Sequence, residues 1–259
     1  MALGMPAASL HHGAMHIVGV DVGGSGIKGA LVETETGELV AERLRIETPQ
    51  PATPAAVAEV VAQVVSGCGG TGPVGAGFPA ALRDGVSLTA TNIDDGFVGQ
   101  DVASLFAQAC GRPVAVLNDA DAAGLAEATF GAAKGVGGTV LILTVGTGIG
   151  TSLCVDGQLV PNTEFGHVLF EGGIAEAYAS DAARKRDGLK WAEWGARFDA
   201  YLRHLETLLY PSRIVVGGGA ARKFDKFAGS LTLTTPVVPA ALGNQAGLVG
   251  AALHALRTC

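Results

Sequence analysis

The chain is short of charge, of aromatic rings and of cysteine, and each shortage removes a class of protein. Asp, Glu, Lys and Arg make up 16% of the 259 residues and leave a formal net charge of −7. A surface that coats nucleic acid is therefore not expected, although a local basic groove for a polyanion is compatible. The four cysteines, Cys68, Cys110, Cys154 and Cys259, are scattered and form no CxxC pair. That pattern excludes a zinc knuckle and a disulfide framework and fits the reduced thiols of a cytoplasmic protein. No apolar run reaches the ~20 residues of a spanning helix, so no membrane partner is expected. Residues 1–14, MALGMPAASLHHGA, carry neither a long apolar core nor any Lys or Arg, and fail as a secretory signal. Residues 1–16 read as a poorly ordered leader.

What is abundant is glycine, 39 residues, and apolar side chains, 48% of the total. The glycines fall in short bends rather than in one tract, as in an α/β protein with many tight strand-to-loop transitions. Two segments have the same shape. Residues 17–40 read IVGVDVGGSGIKGALVETETGELV, and residues 140–160 read VLILTVGTGIGTSLCVDGQLV. Each runs apolar strand, glycine bend, second strand, turn, third strand. A hairpin with glycines repeated at this distance predicts two similar lobes. Bends that bare backbone N–H groups can cradle phosphate between them.

Between and after these units, Thr53-Pro54 is a helix start, with threonine as cap and proline in the first turn. A short strand over 73–78 leads to Phe78-Pro79, and Arg83-Asp84-Gly85 marks a hairpin turn. Residues 102–110 read as helix, 113–117 as a buried strand and 121–130 as an alanine-rich helix. Helices over 175–186 and 191–209 flank Gly188. A strand over 213–216 ends in three glycines, a short one spans 237–239, and a last helix runs from 245. The lobe boundary is placed at 117, giving an N-terminal lobe of 17–117 and a C-terminal lobe of 118–259. The last helix, about 245–257, packs back on the first lobe.

Phosphoryl chemistry needs a phosphate cradle, a base and an acceptor pocket. Gly23, Gly24 and Ser25 with Lys28 form a first candidate cradle, and Asp21 beside them is a candidate Mg²⁺ ligand. No GxxxxGK[ST] loop is present. Gly146, Thr147 and Gly148 form the second cradle, and Gly217, Gly218 and Gly219 a third glycine stretch. Each of these also reads as a plain turn. Asn118 and Asp119 end a buried strand, where ligands collect in open α/β sheets. Asp119 is the candidate base that takes a hydroxyl proton, although either residue also suits a helix cap. Glu164, His167 and Glu176, with Asn92 on a loop, offer the acceptors and donors that sugar hydroxyls need. Arg184, Lys185, Arg186 and Lys190, then Arg222, Lys223 and Lys226, make two basic clusters that suit either a solvated face or a polyanionic donor.

Together, DVGGSGIKGALV, NDADAAGLAE, LTVGTGIGTSL, EFGH with AEAYAS, and VVGGGAARK resemble, in order, the motifs of the ROK family (repressor, open reading frame, kinase). The resemblance covers the chain from about residue 17 and implies an actin/hexokinase-like (RNase H-like) α/β fold of two duplicated lobes around a cleft. Strings such as LVPNTEFGH and TPVVPAAL are similar to the branch of this family that uses inorganic polyphosphate. The resemblance implies phosphorylation of the 6-hydroxyl of glucose by polyphosphate, with ATP as a further donor. Asp119 would be the base; Asn92, Asn118, Glu164, His167 and Glu176 would hold the sugar; Mg²⁺ would be the cofactor; and the assembly would be a homodimer. Alternatives are an ATP-dependent glucokinase, a kinase for mannose or an N-acetylated sugar, and a sugar sensor without catalysis. The sequence departs from the family twice. Residues 168–175, VLFEGGIA, lack the cysteine-rich zinc motif, so zinc is not expected. Ala80 stands where the family has a glycine that lines the sugar site.

Overall fold

The computed structural model describes residues 15–90 and 93–259; residues 1–14 of the leader and Asn92 lie outside the described residues. Runs of buried β-branched residues form a first hairpin, β1 (His16–Gly23) and β2 (Gly26–Glu33), with Asp21 opposite Lys28. β1 therefore begins inside the segment read as leader, and the Met15 carbonyl accepts the Thr34 hydroxyl. β3 (Leu44–Ile46) extends the hairpin. α1 (Pro54–Cys68) starts as expected, with Pro54 in its first turn and the Thr53 hydroxyl accepting from the Ala56 N–H. β4 (Val74–Phe78) lies parallel to β1. β5 (Leu82–Arg83) and β6 (Val86–Ser87) form a short hairpin turned by Asp84 and Gly85, both left-handed, a type of turn that matches strand twist. α2 (Val102–Cys110) leads to β7 (Val114–Asn118), parallel to β4, and completes a sheet of order β3-β2-β1-β4-β7.

α3 (Asp119–Thr129) begins two residues before the expected start, because Asn118 Oδ1 accepts from the Ala120 and Asp121 N–H groups and fixes the cap there. The second hairpin, β8 (Thr139–Val145) and β9 (Ile149–Val155), carries β10 (Gln158–Val160) on its edge. A small pair, β11 (Leu169–Phe170) and β12 (Gly173–Ile174), precedes α4 (Ala175–Ala179), α5 (Asp181–Arg186) and α6 (Trp191–Leu209). The helix expected over 175–186 is split at Ser180, whose extended backbone ends α4 and whose hydroxyl caps α5. β13 (Arg213–Gly217), α7 (Gly218–Ala221), β14 (Val237–Pro239) and α8 (Ala246–Thr258) close the chain.

The second sheet, β10-β9-β8-β13-β14, repeats the pattern of the first: an antiparallel hairpin with one antiparallel edge, then parallel strands. One face of the first sheet packs on α1 and α2, and its other face, with α3, buries α8. The contact with α8 is backbone on backbone: a Cβ at Gly75 would come 1.7 Å from the Ala251 carbonyl oxygen. The second sheet packs on α6 through Trp194, Phe198, Tyr201, Leu202 and Leu205, all fully buried, each contributing roughly 1.5–3 kcal/mol of burial.

Candidate active site

Between the sheets lies a cavity of about 410 Å³. One wall is Pro79 and Ala80 after β4; the floor is Asn118 and Asp119 at the β7–α3 junction; the opposite wall is Glu164, His167 and Glu176; and residues 144–150 with Gly218 form the remaining side. Asn118, Asp119, Glu164, His167, Glu176, Gly146, Thr147, Gly148 and Gly218 are thus brought together from five separate stretches of sequence.

Asp119 opens into the cavity at the helix N-terminus, its Oδ1 accepting the Ala120 N–H. The surface it exposes lines the cavity. Lost hydration raises its carboxyl to about 6, with Asp21 and then Glu164 adding like charge. That value suits a group that must accept a proton near neutrality. Asn118 is buried and nearly spent: its Oδ1 caps α3 and its Nδ2 donates to the Ala80 carbonyl. The amide therefore positions both Asp119 and Ala80. Ala80 itself is buried, its methyl part of the cavity wall.

On the acidic wall His167 stands between two carboxylates, Nδ1 3.6 Å from Glu164 Oε2 and Nε2 3.6 Å from Glu176 Oε1. Burial raises the Glu164 carboxyl, countered by His167. Glu176 also reaches the glycine loop, its Oε2 accepting the Ile149 N–H at 3.1 Å. A Cβ at Gly148 would lie 2.5 Å from that same oxygen, so any side chain there would displace the Glu176 carboxylate from the Ile149 N–H. Gly218 has φ +70°, and a Cβ there would meet the Val145 backbone at 2.6 Å. The third glycine stretch therefore seats α7 against the end of β8; Gly217 and Gly219 do not line the cavity.

The first bend lies outside the cavity lining. Lys28 Nζ holds Asp21 Oδ2 at 2.8 Å. Arg45 donates to the Ser25 carbonyl, and the Thr48 hydroxyl donates to that of Gly23. Arg45, a cation on this bend, carried no motif that sequence could single out. Among the described residues no group of three or more His, Cys, Asp or Glu side chains is arranged to hold a metal. Asp21 nonetheless stands close enough to Asp119 to raise its pKa, a pair of like charges to which a cation adds favourably.

The two basic clusters part company. Arg184 and Lys185 pair with Asp181, Arg186 and Arg197 pair with Asp187, and Arg184 stacks on Trp191 at 4.1 Å. Two carboxylates thus face four cations, so this cluster is only partly neutralised, and the Lys185 and Arg186 side chains stay largely exposed. Lys223 and Lys226 are exposed, and Arg222 donates to Asn244. All four cysteines are free, and no helix among the described residues is long and apolar enough to cross a membrane.

The ROK family model matches residues 17–188. The polyphosphate glucokinase of Mycobacterium tuberculosis is 45% identical over 239 residues, spanning 92% of this chain and 90% of its own. The structure of the inorganic polyphosphate/ATP-glucomannokinase from Arthrobacter sp. strain KM superposes with a TM-score of 0.90 at 47% identity, covering 94% of this chain and 99% of that one. A ROK family glucokinase from Streptomyces griseus, solved with glucose and AMPPNP, gives 0.78 at 26% identity, covering 92% and 98%.

Proposed function

The chain belongs to the ROK family, and from that premise we propose that it transfers a phosphoryl group from inorganic polyphosphate to the 6-hydroxyl of glucose. The observation that carries the reading is Asp119: a carboxylate with pKa about 6 in one cavity with an acid–imidazole wall and a glycine loop. Glu164, His167, Glu176 and Asn118, with Asn92, hold the sugar through its hydroxyls. Asp119 accepts the proton of the 6-hydroxyl as its oxygen bonds to phosphorus, and the donor's P–O bond breaks to release a chain one phosphate shorter. The bends at Gly23-Gly24-Ser25, with Lys28, and at Gly146-Thr147-Gly148 receive the donor's phosphates. Asp21 would hold Mg²⁺, with phosphate oxygens as its other ligands, and the ion would neutralise donor charge. The two sheets act as lobes that close on the acceptor and exclude water.

A second acceptor, mannose, and a second donor, ATP, are favoured by the likeness to the Arthrobacter polyphosphate/ATP-glucomannokinase. A cytoplasmic homodimer fits the free thiols and the family. The test is production of glucose 6-phosphate by the purified protein with Mg²⁺, polyphosphate and ATP being supplied in parallel. Turnover with polyphosphate is the expected result; binding of glucose without turnover on either donor would instead favour a sensor.

A further inference from the structure

Behind the floor of the cavity runs a closed ring of hydrogen bonds that ties three of its walls together. Asn162, in the loop between β10 and Glu164, has left-handed backbone, φ +59°, which asparagine tolerates. Its side-chain amide behaves like one more residue of a strand: Oδ1 accepts the Leu82 N–H and Nδ2 donates to the Leu82 carbonyl, both at 2.8 Å. Its own N–H donates to Asp121 Oδ2 at 2.7 Å. Asp121, 1% exposed, is joined through its N–H to Asn118 Oδ1, and Asn118 Nδ2 returns to the Ala80 carbonyl. The ring thus links residues 80–82, 118–121 and 162. Just beyond it, Phe165 N–H and the Thr163 carbonyl are fastened to Thr151 on β9.

We propose that Asn162 and Asp121 are positioning residues, a clasp that sets the Glu164 wall in register with Asp119 and Ala80 and so determines sugar affinity. Neither touches the acceptor; both act through groups that line its pocket. The inference rests on reading that pocket as the sugar site. The donor bends lie on the other side of the floor and share no bond with the clasp.

The test compares Asn162→Gly, which keeps the left-handed backbone and removes the amide, with Asp121→Ala and Asp121→Asn. Loss of the amide pair costs about 1.4 kcal/mol, or tenfold. Glucose affinity by titration calorimetry without donor is expected to fall about tenfold in Asn162→Gly and Asp121→Ala. The KM for polyphosphate should stay within about twofold, and Asp121→Asn, which still accepts the Asn162 N–H, should restore the affinity. Hydrogen exchange at the Leu82 and Asn162 amides should quicken in Asp121→Ala and not in Asp121→Asn. Unchanged glucose affinity in a folded Asn162→Gly, or equal rises in both KM values, would overturn the clasp. If Asn162→Gly does not fold, the Asp121 pair decides alone: equal affinity of the Ala and Asn variants overturns it. Failure of the wild-type protein to bind glucose would instead remove the sugar-site reading itself.

Discussion

In the first sheet the bend between β1 and β2 is two residues long and braced by cations, with Lys28 on Asp21 and Arg45 on the Ser25 carbonyl. In the second sheet the bend between β8 and β9 is three residues long and braced by an anion, Glu176 on the Ile149 N–H. The strand order is the same and the electrostatics are opposite. The difference teaches how a duplicated scaffold can divide labour. The cationic bend offers long-range attraction to a polyanion. The other bend offers backbone N–H groups next to the acid–imidazole wall, held by a glutamate that also faces His167. The Lys28–Asp21 pair is partly exposed and contributes little to stability, so exchanging one partner for a ligand group costs little.

Four substitutions test this division, from the largest effect to the smallest. Asp119→Asn removes the proposed base, and kcat should fall on the order of 10²–10⁴-fold while glucose affinity changes little. In the wild-type protein kcat/KM should fall as pH drops through about 6, because a base proposed at Asp119 must be deprotonated to act; the pH profile checks both points. Gly148→Ala pushes the Glu176 carboxylate off the Ile149 N–H, and kcat/KM should drop about tenfold for the one hydrogen bond lost, with the KM for sugar rising as well as that for donor. Lys28→Met should raise the KM for polyphosphate about tenfold and leave that for glucose unchanged, and the deficit should shrink at high salt. Thr147→Val, in the uncharged bend, should raise the donor KM only about threefold, with no salt dependence. If Thr147→Val proves the more salt-sensitive of the two, the division of labour is wrong.

The clasp behind the floor gives a stability test with a definite sign. Burial raises Asp121 to about 7 from an ordinary 3.8, so the folded protein keeps a proton that the unfolded chain has released. Stability contributed by this group is complete below pH about 4, falls as pH rises, and is gone above about 7. Asp121→Asn cannot ionise, so its melting temperature should exceed that of the wild type at pH 8 and approach it at pH 5.

Periodicity, turn residues and caps made most elements legible: Thr53-Pro54 opens α1, and Asp84-Gly85 turns the β5–β6 hairpin where the sequence indicates. The glycine bends and Asn118-Asp119 were equally readable, because their chemistry is local. Asn162 and Asp121 were not, since each differs from a turn or helix residue only through partners that lie 80 and 41 positions away. The basic run at 184–186 left a solvated face and a donor site both open, and its pairing with Asp181 and Asp187, the latter shared with Arg197 from α6, was not legible because it depends on helix geometry.

The sequence by itself determined the strands, the bends and the residue types able to handle phosphate and sugar, because short-range sterics and periodicity set them. Only the tertiary structure decided which of those residues share one cavity, that Asp119 is pushed to about 6, and that Gly148 lies against the Glu176 carboxylate. Burial, like-charge proximity and close approach are properties of the space between elements, and no single stretch of chain encodes that space.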